Sequence, residues 1–305
     1  MLFRSIPFVL GVLVIGFFLT MEHVKRRDQQ AFVVQGQIHG NLPVAAVGDS
    51  FDAIMLDVGQ GDSVLLLSEG HAVLVDCGER EYASTILERL RLLGVKSLDA
   101  LITSHAHSDH MGSASAILAQ FPVRSLYLPM TEEESRLWQE TQQQAQSQNC
   151  EVKQMAAGDV FRVGKLEFNF LWPLPGDYPK EVNNSSYLIQ VNAPGIALLF
   201  TGDLEAKVER EMLRQGTLED IDVLKVGHHG SRTSTTEGFL QQIKPEYALI
   251  GVGEGNQYGH PHTDILSRLQ QYGVEIFRTD VEGDIWVDVG TQGIIIEPLG
   301  ERLAA

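Results

Sequence analysis

Four potential metal ligands fall within six residues in the run His105-Ala106-His107-Ser108-Asp109-His110, separated only by small side chains. Residues at i and i+2 of an extended segment point the same way. His105 and His107 can therefore grip one divalent ion, while Asp109 and His110, entering the next helix, turn toward a second. A lone histidine is more often a packed or surface residue than a ligand; candidates this dense reverse that expectation. Two ions about 4 Å apart lower the pKa of a water between them toward about 7 and clamp the oxygens of an in-line displacement. That is hydrolytic chemistry.

The elements around this run would deliver it to a site. Strand patterns are expected over Ala53 to Val58, Ser63 to Leu67 and Ala72 to Asp76, with turn residues between them, as an antiparallel meander. Gly59-Gln60-Gly61-Asp62 lacks the Lys-Ser/Thr ending of a phosphate-binding loop and is expected to be a tight hairpin. Tyr82 to Leu93 places Ile86, Leu87, Leu90 and Leu93 on one helical face, with Gly94 as its stop. Strand Asp99 to Thr103 then runs into the histidine cluster, and Ala114, Ile117, Leu118 and Phe121 mark the buried face of another helix. A polar helix over Glu132 to Ser147, a strand-rich stretch Val152 to Trp172 and paired strands near Tyr187 to Val191 and Ile196 to Thr201 follow.

The pattern then recurs. Asp203 ends a strand, a helix runs through Val208 to Leu213, and strand Ile221 to Val226 delivers His228 and His229; earlier, Asp76 ends a strand, a helix follows, and the next strand delivers His105 and His107. Two βαβ units facing each other would each bring an acid and histidines to the carboxyl ends of strands, where ligands bind in α/β folds.

The HxHxDH pattern of His105, His107, Asp109 and His110 resembles the signature of the metallo-β-lactamase superfamily. The segments Leu56 to Ser63, Leu74-Val75-Asp76-Cys77-Gly78, Asn183-Asn184-Ser185-Ser186, Thr201-Gly202-Asp203, Lys225 to Ser231 and Tyr258-Gly259-His260-Pro261-His262 further resemble the hydrolase domain of ComEC competence proteins, over about Phe51 to Pro298. The resemblance implies an αββα sandwich, two mixed β-sheets flanked by helices. It also implies a site in which His105 and His107 hold one metal, Asp109 and His110 the second, Asp203 bridges, and His228 or His229 completes the second position. Asp76 would orient the histidine loop without touching metal. Asp109, His229 and His260 are the residues expected nearest the chemistry. His260 and His262 would orient substrate or protonate the leaving group, and Ser231 would offer a donor to it.

The histidine usual in the superfamily between HxHxDH and the bridging aspartate is absent; Asn183-Asn184-Ser185 stands in its region. Asn184 or Ser185 could supply an oxygen near the first metal or could cap the turn before the next strand. Fewer nitrogen ligands reduce zinc selectivity, so zinc and manganese both fit the expectation.

The rest of the chain bounds the function. The 305 residues are 44% hydrophobic, enough for one α/β domain, expected over residues 51–300 after a connector at 28–50. Ser5 to Met21 is apolar and uncharged, flanked by Arg4 and by Lys25, Arg26 and Arg27, and is expected to be one hydrophobic helix within residues 1–27, an uncleaved membrane anchor in preference to a removed signal segment because no small-residue cleavage site follows Thr20. The basic flank argues for a cytoplasmic domain; the ComEC resemblance argues for an extracytoplasmic one, which is the expectation kept. Cys77 and Cys150 need no disulfide.

The formal charge is −17, which counts against tight duplex binding but not against turnover of a weakly held polymer. The expected function is hydrolysis of phosphodiesters, with DNA the leading substrate. Alternatives are a phosphoesterase of a cell-envelope or small phosphorylated compound, and a non-enzymatic accessory module of DNA uptake. The channel of ComEC proteins has no counterpart in this sequence, so a role in uptake would need a separate channel partner.

Overall fold

The computed structural model describes residues 51–132, 134–290 and 293–302. The expected anchor and the connector lie outside the described residues. Among the described residues no helix is long and apolar enough to cross a membrane.

Among the described residues, fifteen strands form two mixed sheets. They are β1 (Phe51–Met55), β2 (Val64–Ser68), β3 (His71–Val75), β4 (Leu98–Ile102), β5 (Val123–Tyr127), β6 (Glu151–Lys153), β7 (Val160–Val163), β8 (Leu166–Trp172), β9 (Leu188–Ala193), β10 (Ile196–Phe200), β11 (Val223–Lys225), β12 (Tyr247–Ile250), β13 (Glu275–Arg278), β14 (Ile285–Gly290) and β15 (Gly293–Pro298). The first sheet runs β15-β14-β1-β2-β3-β4-β5-β6 and the second β13-β12-β11-β10-β9-β8-β7.

Strand periodicity explains why the sheets stack. In β8, Leu166, Phe168 and Phe170 are buried while Glu167 and Asn169 between them are only partly so, and in β1 Phe51, Ala53 and Met55 share one face. These inward residues meet Val73, Val75, Ile189, Val191, Leu198 and Val287 in a core between the sheets. The outer face of the first sheet is covered by Ile86, Leu87 and Leu90 of helix Ala83–Leu92, by Ile117 and Leu118 of Ala114–Gln120 and by Trp138 of Arg136–Ser147. The second sheet is covered by Val208 and Met212, by Phe239, Leu240 and Ile243, and by Ile265 and Leu269, from helices Ala206–Gln215, Glu237–Ile243 and Thr263–Gln271. The result is the αββα layering expected from the resemblance.

The paired βαβ units are present. β3 pairs parallel with β4 across helix Ala83–Leu92, and β10 pairs parallel with β11 across helix Ala206–Gln215. Two local expectations need correction. The polar helix begins at Arg136 rather than Glu132, because Ser135 Oγ accepts the Trp138 amide at 3.1 Å and caps it there. Residues 56–63 are a long connection rather than a tight hairpin: β1 stops at Met55, Asp57 Oδ1 accepts the Gly59 amide, and the Asp57 amide is drawn to Asp284 Oδ1 at 2.7 Å. Cys77 and Cys150 are both free and buried.

Candidate metal centre

Residues at the carboxyl ends of β3, β4, β10, β11 and β12 meet between the sheets. His105 follows β4 by three residues, as His228 follows β11 and Asp203 follows β10. The extended backbone at His107 (φ −83°, ψ 154°) ends the β4 loop, and Ser108 to Met111 then turn as a short helix that carries Asp109 and His110. On the facing sheet the backbone is more constrained. His228 and His229 both occupy the left-handed region, at φ 51° and 53°, an arrangement that costs on the order of 1–3 kcal/mol per residue and persists only where its surroundings hold it. Gly230, at φ 80°, lets the chain leave that turn; a Cβ there would lie 2.5 Å from Pro261 Cβ. The turn is thus packed directly on the segment that carries His260.

Two groups of side chains can each surround a cation: Asp62, His110, Asp203 and His229, all buried, and His105, His107 and Asp203, of which His107 is exposed. Asp203 is common to both. In the inner group, His110 Nε2 lies 3.1 Å from Asp203 Oδ1 and 3.2 Å from His229 Nε2. Asp109 Oδ2 closes on the same atom of His229 at 3.3 Å. In the outer group, His105 Nε2 is 3.1 Å from His107 Nδ1 and 3.8 Å from Asp203 Oδ2.

The rear nitrogens are occupied. Asp76, itself at φ 58°, sets Oδ2 2.8 Å from His110 Nδ1 and accepts from the backbone and hydroxyl of Ser104. His229 Nδ1 donates to the Gly251 carbonyl at 2.8 Å. Both arrangements fix the ring so that Nε2 faces the cluster, as ligating histidines require.

The electrostatics match this geometry. Burial alone would push His110 down, yet Asp203, Asp76 and Asp109 hold it well above the ordinary imidazole value. His229 is lifted against its burial to about 9 by Asp203, Asp62 and Asp109. Burial would raise Asp203, but His110, His229 and His105 hold it well below the usual carboxylate range. His105 is pushed well down by its burial and by His110. Asp203 Oδ1 and Asp62 Oδ1 are buried without a hydrogen-bond partner. Facing imidazole nitrogens around an orphaned carboxylate oxygen are the donor set of a divalent cation, whose charge would replace the protons these groups otherwise share.

Other sequence candidates sit around this cluster. His228 joins neither group: Nδ1 is 3.1 Å from Thr233 Oγ1 and Nε2 is 3.7 Å from Asp203 Oδ2. His260 lies over the rim, its ring centroid 5.7 Å from that of His228, and Asn256 holds its backbone at both the amide and the carbonyl. Burial, His229, His228 and His262 push His260 down to about 4, so it is neutral at pH 7 and better suited to orienting substrate than to delivering a proton from an imidazolium. His262 Nδ1 accepts the Arg232 amide at 3.2 Å, and Ser231 Oγ lies 3.1 Å from Thr233 Oγ1, both within the turn. Asn184 Oδ1 accepts the Glu205 amide and its Nδ2 donates to Glu181, while Ser185 Oγ donates to the Val182 carbonyl. These contacts describe the turn-capping alternative for Asn184 and Ser185. The amide oxygen left without a partner in this turn is that of Asn183.

Sequence reasoning missed Asp62 and Lys225. Asp62 reads as a turn residue and Lys225 as the end of a strand, yet the two are buried and ion-paired to each other at the base of the inner group. The signal present is that both lie in segments that carry the ComEC resemblance, Leu56 to Ser63 and Lys225 to Ser231, which assign neither of them a role.

A family model described as the metallo-beta-lactamase superfamily matches residues 56–254. The chain is 31% identical over 308 residues to ComE operon protein 3 of Bacillus subtilis (strain 168), covering 93% of this chain and 40% of that protein. It is 35% identical over 238 residues to Recombination protein 2 of Haemophilus influenzae, covering 76% of this chain and 28% of the relative. Among solved structures, the metallo-beta-lactamase fold protein YhfI from Bacillus subtilis superposes with a TM-score of 0.53 at 13% identity, over 79% of this chain and 100% of that one. The chain therefore spans well under half the length of these two curated relatives.

Proposed function

Since this chain belongs to the metallo-beta-lactamase superfamily, whose model covers its residues 56–254, we propose that it is a binuclear metal-dependent hydrolase of phosphodiesters, acting on nucleic acid. The observation that carries the reading is the pair of ligand groups sharing Asp203, one wholly buried and one opening at His107. His105, His107 and Asp203 would hold one ion; His110, His229 and Asp203 would hold the other together with Asp109, which joins the buried group from its open side at His229 Nε2, while Asp62 faces the Nδ1 atoms behind the two rings. Zinc and manganese both suit this mixed nitrogen and oxygen set. When bound, such ions supply Lewis-acid charge that activates water near neutral pH and offsets negative charge developing on phosphoryl oxygens.

The chain's own groups do the positioning. Asp76 and the Gly251 carbonyl hold His110 and His229 with their Nε2 atoms inward. Asp203, kept ionised by its imidazole neighbours, would offer a carboxylate oxygen to each position. Neutral His260 at the rim is placed to hydrogen-bond a substrate oxygen and align the bond to be cut. Nucleic acid is favoured as substrate by the likeness to the ComEC branch and by the name of the Haemophilus relative, a recombination protein. In this reading the segment Ser5 to Met21 anchors the enzyme to a membrane with the hydrolase outside the cytoplasm, and DNA passage requires a separate channel protein.

The net charge of −17 favours a second reading, a phosphoesterase of a small or cell-envelope phosphate compound, because an acidic surface repels a polyanion more than a small ester. The full chain, purified in detergent, should cleave bis-p-nitrophenyl phosphate and DNA with zinc or manganese, and His107→Ala and Asp203→Ala should abolish both. Cleavage of the small diester without any cleavage of single- or double-stranded DNA would transfer the assignment to the second reading. Absence of turnover with two ions bound would leave an accessory role. A fusion reporter active on one side of the membrane tests the orientation, and activity on the cytoplasmic side would reverse it.

A further inference from the structure

The inner ligand group is assembled from two sheets, and one buried ion pair joins the sheets directly beneath it. Lys225, the last residue of β11, is 3% exposed, and its ammonium pairs with Asp62 Oδ2 while donating to the Gly202 carbonyl at 3.2 Å. Gly202 precedes the shared ligand Asp203. Asp62 comes from the β1–β2 connection on the other sheet and is 2% exposed. Its carboxylate sits behind both inner imidazoles, with Oδ2 3.7 Å from His110 Nδ1 and Oδ1 3.6 Å from His229 Nδ1. The backbone of Asp62 is tied to the ligand loop as well: its amide donates to the Asp109 carbonyl at 3.1 Å and its carbonyl accepts from Gly78 at 2.9 Å.

The space for this arrangement is kept open by glycine on both sheets. A Cβ on Gly61 would lie 2.4 Å from the Asp109 carbonyl oxygen, and one on Gly251 would lie 2.4 Å from Asp62 Oδ1. Gly251 is also the residue whose carbonyl holds His229. A buried ion pair contributes little net stability, because desolvation offsets most of its attraction. A pair at this place has a different use, since it touches the surroundings of every inner ligand: Asp109 through its carbonyl, Asp203 through Gly202, and His110 and His229 through the charge of Asp62 behind rings whose Nδ1 atoms are hydrogen-bonded to Asp76 and to the Gly251 carbonyl.

We infer that Asp62 and Lys225 form a positioning pair that sets the geometry of the inner metal position across the two sheets, leaving the outer position to His105, His107 and Asp203. The inference rests on the binuclear reading above and adds to it which position depends on which residues. Loss of an outer-sphere partner of this kind typically weakens metal affinity about 10- to 100-fold.

The test is manganese and cobalt titration of the full chain in detergent, in a His107→Ala background that reports the inner position and a His229→Ala background that reports the outer one. Asp62→Asn keeps the shape of the side chain, and the double variant Asp62→Leu/Lys225→Met removes both charges so that neither is left buried alone. Both should fold, bind the inner ion about 10- to 100-fold more weakly with a changed cobalt absorption spectrum, and bind the outer ion as the parent does. If the double variant does not fold, Asp62→Asn decides alone. Wild-type inner affinity in a folded variant, or equal weakening at both positions, overturns the inference. Binding of fewer than two ions by the unsubstituted chain would instead defeat the binuclear reading itself, a different result from any the variants can give.

Discussion

The two ligand groups share Asp203 and differ in how they are held. In the inner group Asp62, His110, Asp203 and His229 are buried and Asp109 is half-buried, its histidines are braced from behind by Asp76 and by the Gly251 carbonyl, and Lys225 ties its two sides together. The outer group ends in His107, which is exposed on the loop after β4. Burial removes an ion from water and slows its escape, whereas an exposed ligand leaves a face open to exchange and to substrate. In the binuclear reading one scaffold would thus build a position for retention beside one for access, with Asp203 common to both.

Removing that coupling should have the largest effect. Asp203→Ala takes an oxygen from both positions, and the charge stabilisation such ions give, several kcal/mol, corresponds to a loss of about 10³-fold in turnover. Elemental analysis after gel filtration should find neither position filled; retention of one ion would show that the groups are independent.

Next in size is the contrast between His229→Ala and His107→Ala. The first leaves Asp62 and Asp203 buried beside a missing partner and should lower stability by about 3 kcal/mol, read by denaturant unfolding, while emptying the inner position. The second should empty the outer position with an unfolding midpoint close to that of the parent. Equal destabilisation would erase the distinction between a braced and an open position.

This contrast follows what was legible in the sequence. The outer group lies almost wholly within one strand end, so the spacing of His105 and His107 displays it directly. The inner group needs the second sheet. The choice between His228 and His229 depends on two successive left-handed residues, which alternation rules for extended chain do not describe. Asp62 and Lys225 are 163 residues apart and meet only because two sheets stack; in the linear chain each has an ordinary local explanation. The αββα layering was legible through the resemblance carried by His105, His107, Asp109 and His110 and by the ComEC-like segments around them, whereas the exit of β1 at Met55 depends on the distant Asp284.

Chelation should sharpen the comparison without mutation. Brief exposure to a chelator should remove ions in two phases, the outer first, with the fast phase absent in His107→Ala and the slow phase absent in His229→Ala. Stopped-flow detection with a metal indicator reads the phases. A single phase for the unsubstituted chain would mean that burial does not separate the two positions.

The smallest effect is expected at Asn184, and it defines the limit of the outer group. Its side chain accepts the Glu205 amide at 3.1 Å and donates to Glu181 at 3.0 Å, linking the turn before β9 to the start of helix Ala206–Gln215. If those bonds are its whole role, Asn184→Ala costs about 1 kcal/mol of stability and leaves both ions in place. If the outer position instead draws an oxygen from Asn184, the variant loses that ion as His107→Ala does. Ion content therefore decides the question where a stability measurement alone would not, because either role makes the turn before β9 depend on this side chain.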